Sequence, residues 1–333
     1  MPRQLPVISL ILVLVVGLFA PLATGAADPG FWFEVLLGGL MAGVLYSLVA
    51  LGFALIYKAS GVFNFAQGAM VLFAALSVAR MAEKMPLWVA VILGLVIMVG
   101  IAFAIERLVL RPLVNQEPVA LLMATLGVTY FLDGFGQTLW GSDIYEIDLG
   151  IAKKPVMILD SVFQGGILVN KDDVAAAIVA ALLVGALALF FQKTATGRAL
   201  RAVADDHQAA QSIGIPLNHI WVIVWSVAGF VALVAGMIWG AKLGVQFSLS
   251  QVALKALPVV ILGGFTSVTG AVVGGLIIGV GEKMAELFLG PVLVKAFDLA
   301  GGGIENWFAY VLALLFLLVR PEGLFGEKHI DRV

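Results

Sequence analysis

The chain has 333 residues, of which 62% are hydrophobic and 12% charged. Its 19 Lys and Arg residues nearly balance its 21 Asp and Glu residues, so the formal net charge is −2. This balance excludes a basic nucleic-acid-binding protein and a charge-rich disordered chain. With no cysteine in the sequence, disulfides and thiolate metal sites are excluded as well. The composition indicates an all-α polytopic membrane protein that contacts membrane lipid but no nucleic acid.

A membrane-spanning helix needs about 20 mainly apolar residues. Apolar runs near this length predict about nine to ten transmembrane segments, some of them broken or re-entrant. The runs cover residues 6–23, 34–57, 61–79, 87–106, 119–140, 173–192, 219–240, 250–266, 269–289 and 304–319.

The N-terminal residues 1–30 stand apart from the transmembrane domain that we expect over residues 31–333. Arg3, a short apolar run and the small residues at 23–27 are typical of a cleavable signal peptide. The same features also fit an additional helix, and both interpretations stay open.

Cytoplasmic loops of membrane proteins are enriched in Lys and Arg, so the distribution of these residues predicts the orientation. One side of the predicted segments has the larger number and is expected to be cytoplasmic, together with the C-terminus. This side holds Arg3, Lys58, Arg107, Arg111, Lys193, Arg198, Arg201, Arg320, Lys328 and Arg332.

Two connections are longer than simple turns. The loop 141–172 lies outside by the charge count and mixes β-branched residues with Gly, Asp and Asn, a composition that allows a short periplasmic hairpin. The loop 193–218 lies inside and contains a helical run from about Gly197 to Gln211. Gly214 and Pro216 are expected to end this helix.

Five stretches of the sequence resemble the inner-membrane permease subunits of ABC importers, specifically the branched-chain amino acid permease family. They occur in the family order and together extend from about residue 51 to residue 326. The stretches are LGFALIYKASGVFNFAQGAM at 51–70, IERLVLRPL at 105–113, TGRALRAVADDHQAAQSIGI at 196–215, ALPVVILGGFTSVTGAVVGGLIIGVGE at 256–282 and RPEGLFG at 320–326.

The resemblance implies a multi-pass subunit of the bacterial inner (plasma) membrane that imports branched-chain or other apolar amino acids, or related small solutes. It implies a homologous second permease, two cytoplasmic ATPase subunits and a periplasmic substrate-binding protein as partners. The sequence has no Gly-x4-Gly-Lys-Ser/Thr phosphate loop, so ATP hydrolysis is expected in a partner chain. No catalytic residue, cofactor or metal site is expected in this chain.

By the resemblance, the loop 193–218 contains the coupling helix that transmits motion from the ATPase. Small residues there allow a close approach between the two proteins, and arginines can pair with acidic groups of the ATPase. The expected coupling residues are Gly197, Arg198, Arg201, Asp206, Ala209, Ala210 and Gly214.

Polar or broken helices inside the membrane are candidates for the substrate pathway. Asn64 and Gln67 share one helix face, where they either line the pathway or form helix-to-helix hydrogen bonds. The stretch 263–270 interrupts two apolar runs and is either a broken helix beside the pathway or a plain cytoplasmic turn. The expected pathway residues are Asn64, Gln67, Gly68, Asp133, Gly263 and Gly264.

Other patterns indicate packing or exposure. The glycines at 270, 274, 275 and 279 form small-residue ladders that favour close helix packing. Glu282 and Glu286 lie near the outer end of their segment, where we expect them to be exposed. The alternative function is a stand-alone secondary transporter or channel for a small polar solute. That function usually calls for acidic residues at mid-membrane, for which Asp133 is the one serious candidate.

Overall fold

The computed structural model describes residues 19–22, 25, 27–61, 63–113, 116–151, 153–163, 165–205, 207–298 and 301–326. Most of the predicted N-terminal segment 6–23 lies outside these residues. The described chain is mainly helical, as predicted. Its helices are α1 (Pro29–Ser60), α2 (Gln67–Ala82), α3 (Leu87–Ala104), α4 (Pro118–Trp140), α5 (Lys171–Lys193), α6 (Ala195–Asp205), α7 (His207–Ser212), α8 (Leu217–Leu243), α9 (Val252–Lys255), α10 (Leu257–Gly263), α11 (Val268–Met284), α12 (Gly290–Phe297) and α13 (Ile304–Val319).

Short non-α turns extend several of these helices. They are π-helical at Ile105–Leu110 and Ala285–Leu289, and 3-10 at Arg111–Leu113 and Phe247–Gln251. A two-stranded antiparallel sheet joins β1 (Pro155–Ile158) to β2 (Ile167–Asn170), with Pro155 opposite Asn170. The hairpin allowed by the composition of the loop 141–172 is therefore present.

Within the described residues, five helices are long and apolar enough to cross a membrane, and six if one bent pair counts as a span. The bent pair is Phe247–Gly263 and Val268–Phe297, whose axes differ by 114°. The helices α2 and α13 are apolar but shorter. The structure thus establishes a multi-pass helical membrane protein with five to six candidate spans.

The helices α1 and α11 pack closely along a line where glycines of the two helices face each other. Gly39 and Gly43 of α1 lie against Gly275 and Gly279 of α11, and a Cβ at Gly43 would be 2.6 Å from the carbonyl oxygen of Gly275. On another face of α11, Gly270 lies against Gly263 of α10. The predicted packing role of these glycines is confirmed, because side chains larger than hydrogen would separate the helices.

The exposure predicted for Glu282 is wrong. Its side chain is 3% exposed and lies 3.5 Å from the ammonium of Lys255, which also lies 3.8 Å from Glu305. Glu305 pairs in turn with Lys283 at 3.0 Å. The carboxylate is buried because α11 packs against α1 and α13, while Lys255 of α9 reaches it as an ion-pair partner. An ion pair thus joins the two arms of the bent element.

Candidate functional site

The predicted amide pair lies at the start of α2, in the centre of the bundle. Asn64 and Gln67 are both 0% exposed. The Asn64 amide donates to Gln67 Oε1 at 3.4 Å, and its oxygen accepts from the backbone N–H of Ala66 at 3.1 Å. Gln67 donates to the carbonyl of Ala228 on α8 at 3.4 Å. Both amides therefore form hydrogen bonds within the protein, and Gln67 joins the start of α2 to α8.

Two glycines make room for this arrangement. A Cβ at Gly52 of α1 would meet the Gln67 amide, and a Cβ at Gly68 would overlap the carbonyl oxygen of Ser250. Gly68 therefore brings the start of α2 against the 3-10 turn that opens the bent element. Asn64, Gln67 and Gly68 thus lie together at the start of α2, although Asn64 precedes the helix and does not share a helix face with Gln67.

Thr125 of α4 also belongs to this cluster, although sequence reasoning did not select it. Its hydroxyl accepts from the backbone N–H of Phe65 at 3.4 Å and donates to the carbonyl of Leu122 at 2.9 Å. The side chain is 2% exposed. Three threonines lie along α4, at 125, 129 and 138, so no signal in the sequence distinguished Thr125 from the other two.

Asp133 lies apart from the amide cluster. It is eight residues beyond Thr125 on α4, which is about 12 Å at 1.5 Å per residue. The side chain is half-buried, and its Oδ1 atom has no hydrogen-bond partner among the described residues. Nearby, α4 exposes Gly134 and Gln137, and a Cβ at Gly134 would contact nothing within 4 Å. A half-buried carboxylate beside an exposed amide distinguishes this face from the purely apolar surfaces of the bundle.

The predicted helix break at Gly263 and Gly264 is present and is held by the C-terminal turn. Gly264 has φ +103°, a backbone conformation that side chains with a Cβ rarely adopt. The backbone N–H of Leu324 donates to the carbonyl of Leu262 at 2.8 Å, and that of Phe325 donates to Gly263 at 3.0 Å. The stretch RPEGLFG at 320–326 therefore holds the helix break in place through two backbone hydrogen bonds. A further contact joins Lys58 of α1, whose ammonium donates to the carbonyl of Thr266 at 3.2 Å.

The loop 193–218 folds into two short helices under α5. Thr194 caps α6, since its hydroxyl accepts from the backbone N–H of Gly197 at 3.2 Å. A Cβ at Gly197 would overlap the backbone of Phe191, so this tight reversal requires glycine. The apolar face of α6 buries Leu200 and Val203. The polar face stays outside, as its amphipathic pattern dictates.

The two arginines of α6 have different environments. Arg201 is half-buried and donates to the carbonyl of Phe191 at 2.7 Å, near the C-terminal end of α5. Arg198 is exposed, and its guanidinium donates to the carbonyl of Lys193 at 3.4 Å. Arg198 can therefore meet a partner chain, whereas Arg201 holds α6 against the bundle.

The second helix, α7, ends at Gly214 as predicted. Gly214 has φ +86°, its N–H donates to Gln211, and the N–H of Ile215 reaches back to Ala210, a Schellman ending. Ala210 is buried, whereas Ala209 is exposed. Ile213, which sequence reasoning did not select, is 75% exposed. The predicted coupling residue Asp206 lies outside the described residues.

These parts meet at one face of the bundle. A cavity of about 170 Å³ lies between Lys58, Gly197 and Arg201 on one side and Thr266 and Phe325 on the other. Lys58 and Arg201 belong to the side with more Lys and Arg. The structure thus places the loop 193–218 directly beside the helix break at 263–270, a relationship that sequence spacing does not reveal.

Comparison with known proteins supports one family. The family described as the branched-chain amino acid transport system permease component matches residues 35–320. The chain is 27% identical to the high-affinity branched-chain amino acid transport system permease protein BraD of Pseudomonas aeruginosa, covering 91% of this chain and 98% of BraD. The permease protein LivH of Escherichia coli, from a transport system of the same description, has the same identity and coverage. The chain also has a remote structural likeness to the solved structure of PsaBC from Streptococcus pneumoniae in complex with Fab. The TM-score is 0.44 and the sequence identity is 14%, and the match covers 86% of this chain and 92% of that chain.

Proposed function

Because the chain belongs to the family of permease components of branched-chain amino acid transport systems, we propose that it is the membrane subunit of an ATP-driven importer. Its solutes are branched-chain or other apolar amino acids, or related small solutes. The family consists of transporter subunits rather than enzymes. The names of BraD and LivH, which describe branched-chain amino acid transport, support this substrate class for the chain.

The observation that carries the proposal is the surface of the loop 193–218 that points away from the helix bundle. Arg198, Ala209 and Ile213 are exposed there, while Leu200, Val203 and Ala210 hold the loop against the bundle. We call the first three residues the docking surface. An isoleucine that is 75% exposed and an exposed arginine on the same loop fit the apolar core and the enrichment in arginine that are typical of surfaces where proteins bind one another. The proposed occupant is an ATPase subunit, since the chain has no phosphate loop of its own.

We propose that motion passes from the docking surface into the bundle through the helix break. The loop adjoins the turn 263–270, and this turn ends the first arm of the bent element, Phe247–Gly263. At the other end of the same arm, Ser250 lies against Gly68, next to the buried amide of Gln67. A displacement of the loop would then move the segment against Gly68, and separation of Gln67 from Ala228 of α8 and from Gly52 of α1 would open the pathway between α1, α2 and α8.

In this proposal residues 31–333 form the permease domain, with the loop 141–172 in the periplasm and the C-terminus in the cytoplasm. The helices α2 and α13 cross the membrane, and the two arms of the bent element count as separate segments, which gives nine segments, or ten with the predicted segment 6–23. Asp133 is a further proposed pathway residue, on α4 and outside the space between α1, α2 and α8. A homologous second permease, two ATPase subunits and a periplasmic binding protein complete the importer.

The proposal is tested by purifying the tagged chain from its native membranes in mild detergent and identifying the proteins that copurify. The wild type should bring down an ATPase. The variant Ile213→Asp should no longer bring down the ATPase, because a charge replaces the exposed apolar side chain of the docking surface. Ile144→Asp is the matched control, since Ile144 is 66% exposed on the outer loop.

An ATPase retained equally by Ile213→Asp and Ile144→Asp would contradict the proposed docking surface. A chain that copurifies with no ATPase and transports solute alone would contradict the importer and favour a stand-alone carrier. The thermal stability of each variant, measured in the same detergent, shows that the exposed substitutions leave the fold intact.

A further inference from the structure

A second cavity lies at the opposite face of the bundle from the loop 193–218. Its volume is about 500 Å³, and its walls are α5, α8, the residue Val91 of α3 and the outer loop. On α5 the lining residues are Asp172, Ala175, Ala176 and Val179, and on α8 they are Val234, Met237, Ile238, Ala241 and Lys242. Both sets repeat at three- and four-residue intervals, so each helix presents one continuous face to the cavity.

The cavity is aliphatic in its depth and charged at its rim. The charged lining residues stand at the outer ends of α5 and α8 and in the outer loop. They are Glu146, Asp148, Lys153, Asp172 and Lys242. Lys242 forms an ion pair with Asp173 and lies 5.8 Å from the centre of the Trp239 ring. The rim therefore has three carboxylates and two ammonium groups, one of which is already paired within the protein.

The dimensions of the aliphatic part match the upper part of a lipid chain. Below the charged rim, the aliphatic lining extends from Ala175 to Val179 on α5 and from Ala241 to Val234 on α8. At 1.5 Å per residue these walls are about 6 and 10 Å long. One leaflet of a bilayer with a hydrocarbon core about 30 Å thick is about 15 Å deep, so the slot follows an acyl chain through about half of a leaflet.

We propose that this cavity is a binding site for one phospholipid with a zwitterionic headgroup that bears a primary ammonium, such as phosphatidylethanolamine. One acyl chain occupies the slot between α5 and α8. The ammonium of the headgroup faces Glu146, Asp148 and Asp172, and its phosphate faces Lys153. An anionic headgroup would meet the excess of carboxylates and is disfavoured.

The charges of the rim decide the specificity. An acyl chain in the bilayer is already out of water, so the apolar slot gains little from hydrophobic transfer and provides shape rather than headgroup selection. An aliphatic amino acid also has both charges and an apolar part, but its short side chain would leave most of the walls without a partner. The length of the slot therefore favours the lipid.

The test uses the full-length chain purified in detergent from membranes that contain phosphatidylethanolamine and phosphatidylglycerol. Native mass spectrometry counts the phospholipids that remain bound after washing. We expect one retained phosphatidylethanolamine in the wild type and none in Val179→Trp, whose indole fills the slot. Ile178→Trp is the matched control, because Ile178 is 54% exposed, Val179 is 48% exposed, and Ile178 does not line the cavity.

A rim variant tests the headgroup preference separately. Asp148→Asn should lower the ratio of bound phosphatidylethanolamine to phosphatidylglycerol about threefold, the size expected of one partly exposed charge pair. Asparagine retains the oxygen that accepts the N–H of Gly150 at 2.8 Å, so the local turn is preserved. Asp160→Asn, an exposed residue of the same loop that does not line the cavity, should leave the ratio unchanged.

A measurement on the wild type alone guards against variants that fail to fold. Phosphatidylethanolamine with a photoreactive acyl chain should label the residues 174–179 and 234–241. Labelling spread evenly over the exposed faces of α3 and α4 would overturn the proposal. Equal retention of lipid by Val179→Trp and Ile178→Trp would also overturn it, as would displacement of the lipid by leucine.

Discussion

Arg201 donates a hydrogen bond from its guanidinium to the carbonyl oxygen of Phe191 at 2.7 Å, and this contact ties the loop 193–218 to the membrane helix above it. The acceptor lies near the C-terminal end of α5, where carbonyl groups have no partner within the helix. A cation is favoured at such an end by the helix dipole as well. One arginine of α6 thus has a role within the chain, while Arg198 is exposed and is the proposed contact with the ATPase.

Replacement of the two arginines should separate these roles. Arg201→Ala should lower the free energy of unfolding by about 1 kcal/mol, because a half-buried carbonyl loses its charged donor. Arg198→Ala should change it by less than about 0.5 kcal/mol, as exposed substitutions usually do. Arg198→Ala should instead weaken binding of the ATPase. Thermal unfolding in detergent and ATPase titration measure the two effects, and equal effects of both variants on unfolding would contradict the assignment.

Gly197 should tolerate no side chain. Gly197→Ala places a methyl group against the backbone of Phe191, and we expect a loss of about 1–3 kcal/mol in folding stability together with loss of transport. Gly185→Ala on α5 is the control, because a Cβ there would contact nothing within 4 Å. Alanine is the better helix former, so this control should be neutral or slightly stabilising. Full transport activity in Gly197→Ala would show that the reversal after α5 is not needed for coupling.

The buried amides should matter more for transport than for folding. Gln67→Leu removes the hydrogen bonds to Asn64 and Ala228, and such bonds average about 0.6 kcal/mol between membrane helices. We therefore expect a small shift in the unfolding temperature and a large loss of solute uptake. Ser77→Ala is the control on the same helix, since its hydroxyl bonds only the carbonyl of Phe73 in its own helix. Uptake at the wild-type rate in Gln67→Leu would remove this residue from the pathway.

The ion pair between Lys255 and Glu282 should be needed for stability. Lys255→Met leaves a carboxylate buried without its cation, which costs about 3–5 kcal/mol in buried pairs. The double variant Lys255→Met with Glu282→Gln should recover much of this loss, because no buried charge remains. Lys283→Met, which removes a more exposed partner of Glu305, should have a smaller effect. Chemical unfolding in detergent compares the four proteins, and a single variant no worse than Lys283→Met would contradict the burial of Glu282.

Much of the fold could be predicted from local patterns. Apolar runs indicated α1, α3, α4, α5 and α8 because lipid requires long uninterrupted helices. The C-terminal end of the helical run in the loop 193–218 was predicted because Gly214 and Pro216 have strong local conformational preferences. The glycine ladder on α11 indicated close packing, although its partners Gly39 and Gly43 are more than 200 residues away and could not be identified from spacing.

The relationships between distant segments could not be predicted. The burial of Glu282 depends on Lys255, which approaches it only because the bent element folds back on itself. Thr125 reaches the amide cluster through the packing of α4 against α2, and Lys58 reaches Thr266 through the contact of α1 with the helix break. Nothing in the sequence near these residues specifies their partners, since each contact is fixed by tertiary packing rather than by local propensity.

The central claim is that this chain transports solute only when a separate ATPase acts on the loop 193–218. The most direct measurement is uptake of radiolabelled isoleucine into proteoliposomes that contain the chain with its copurified partners, with the periplasmic binding protein outside and ATP inside. The account predicts uptake that needs ATP and the binding protein and that is lost in Ile213→Asp but not in Ile144→Asp. Uptake by the chain alone, without ATP, would contradict it.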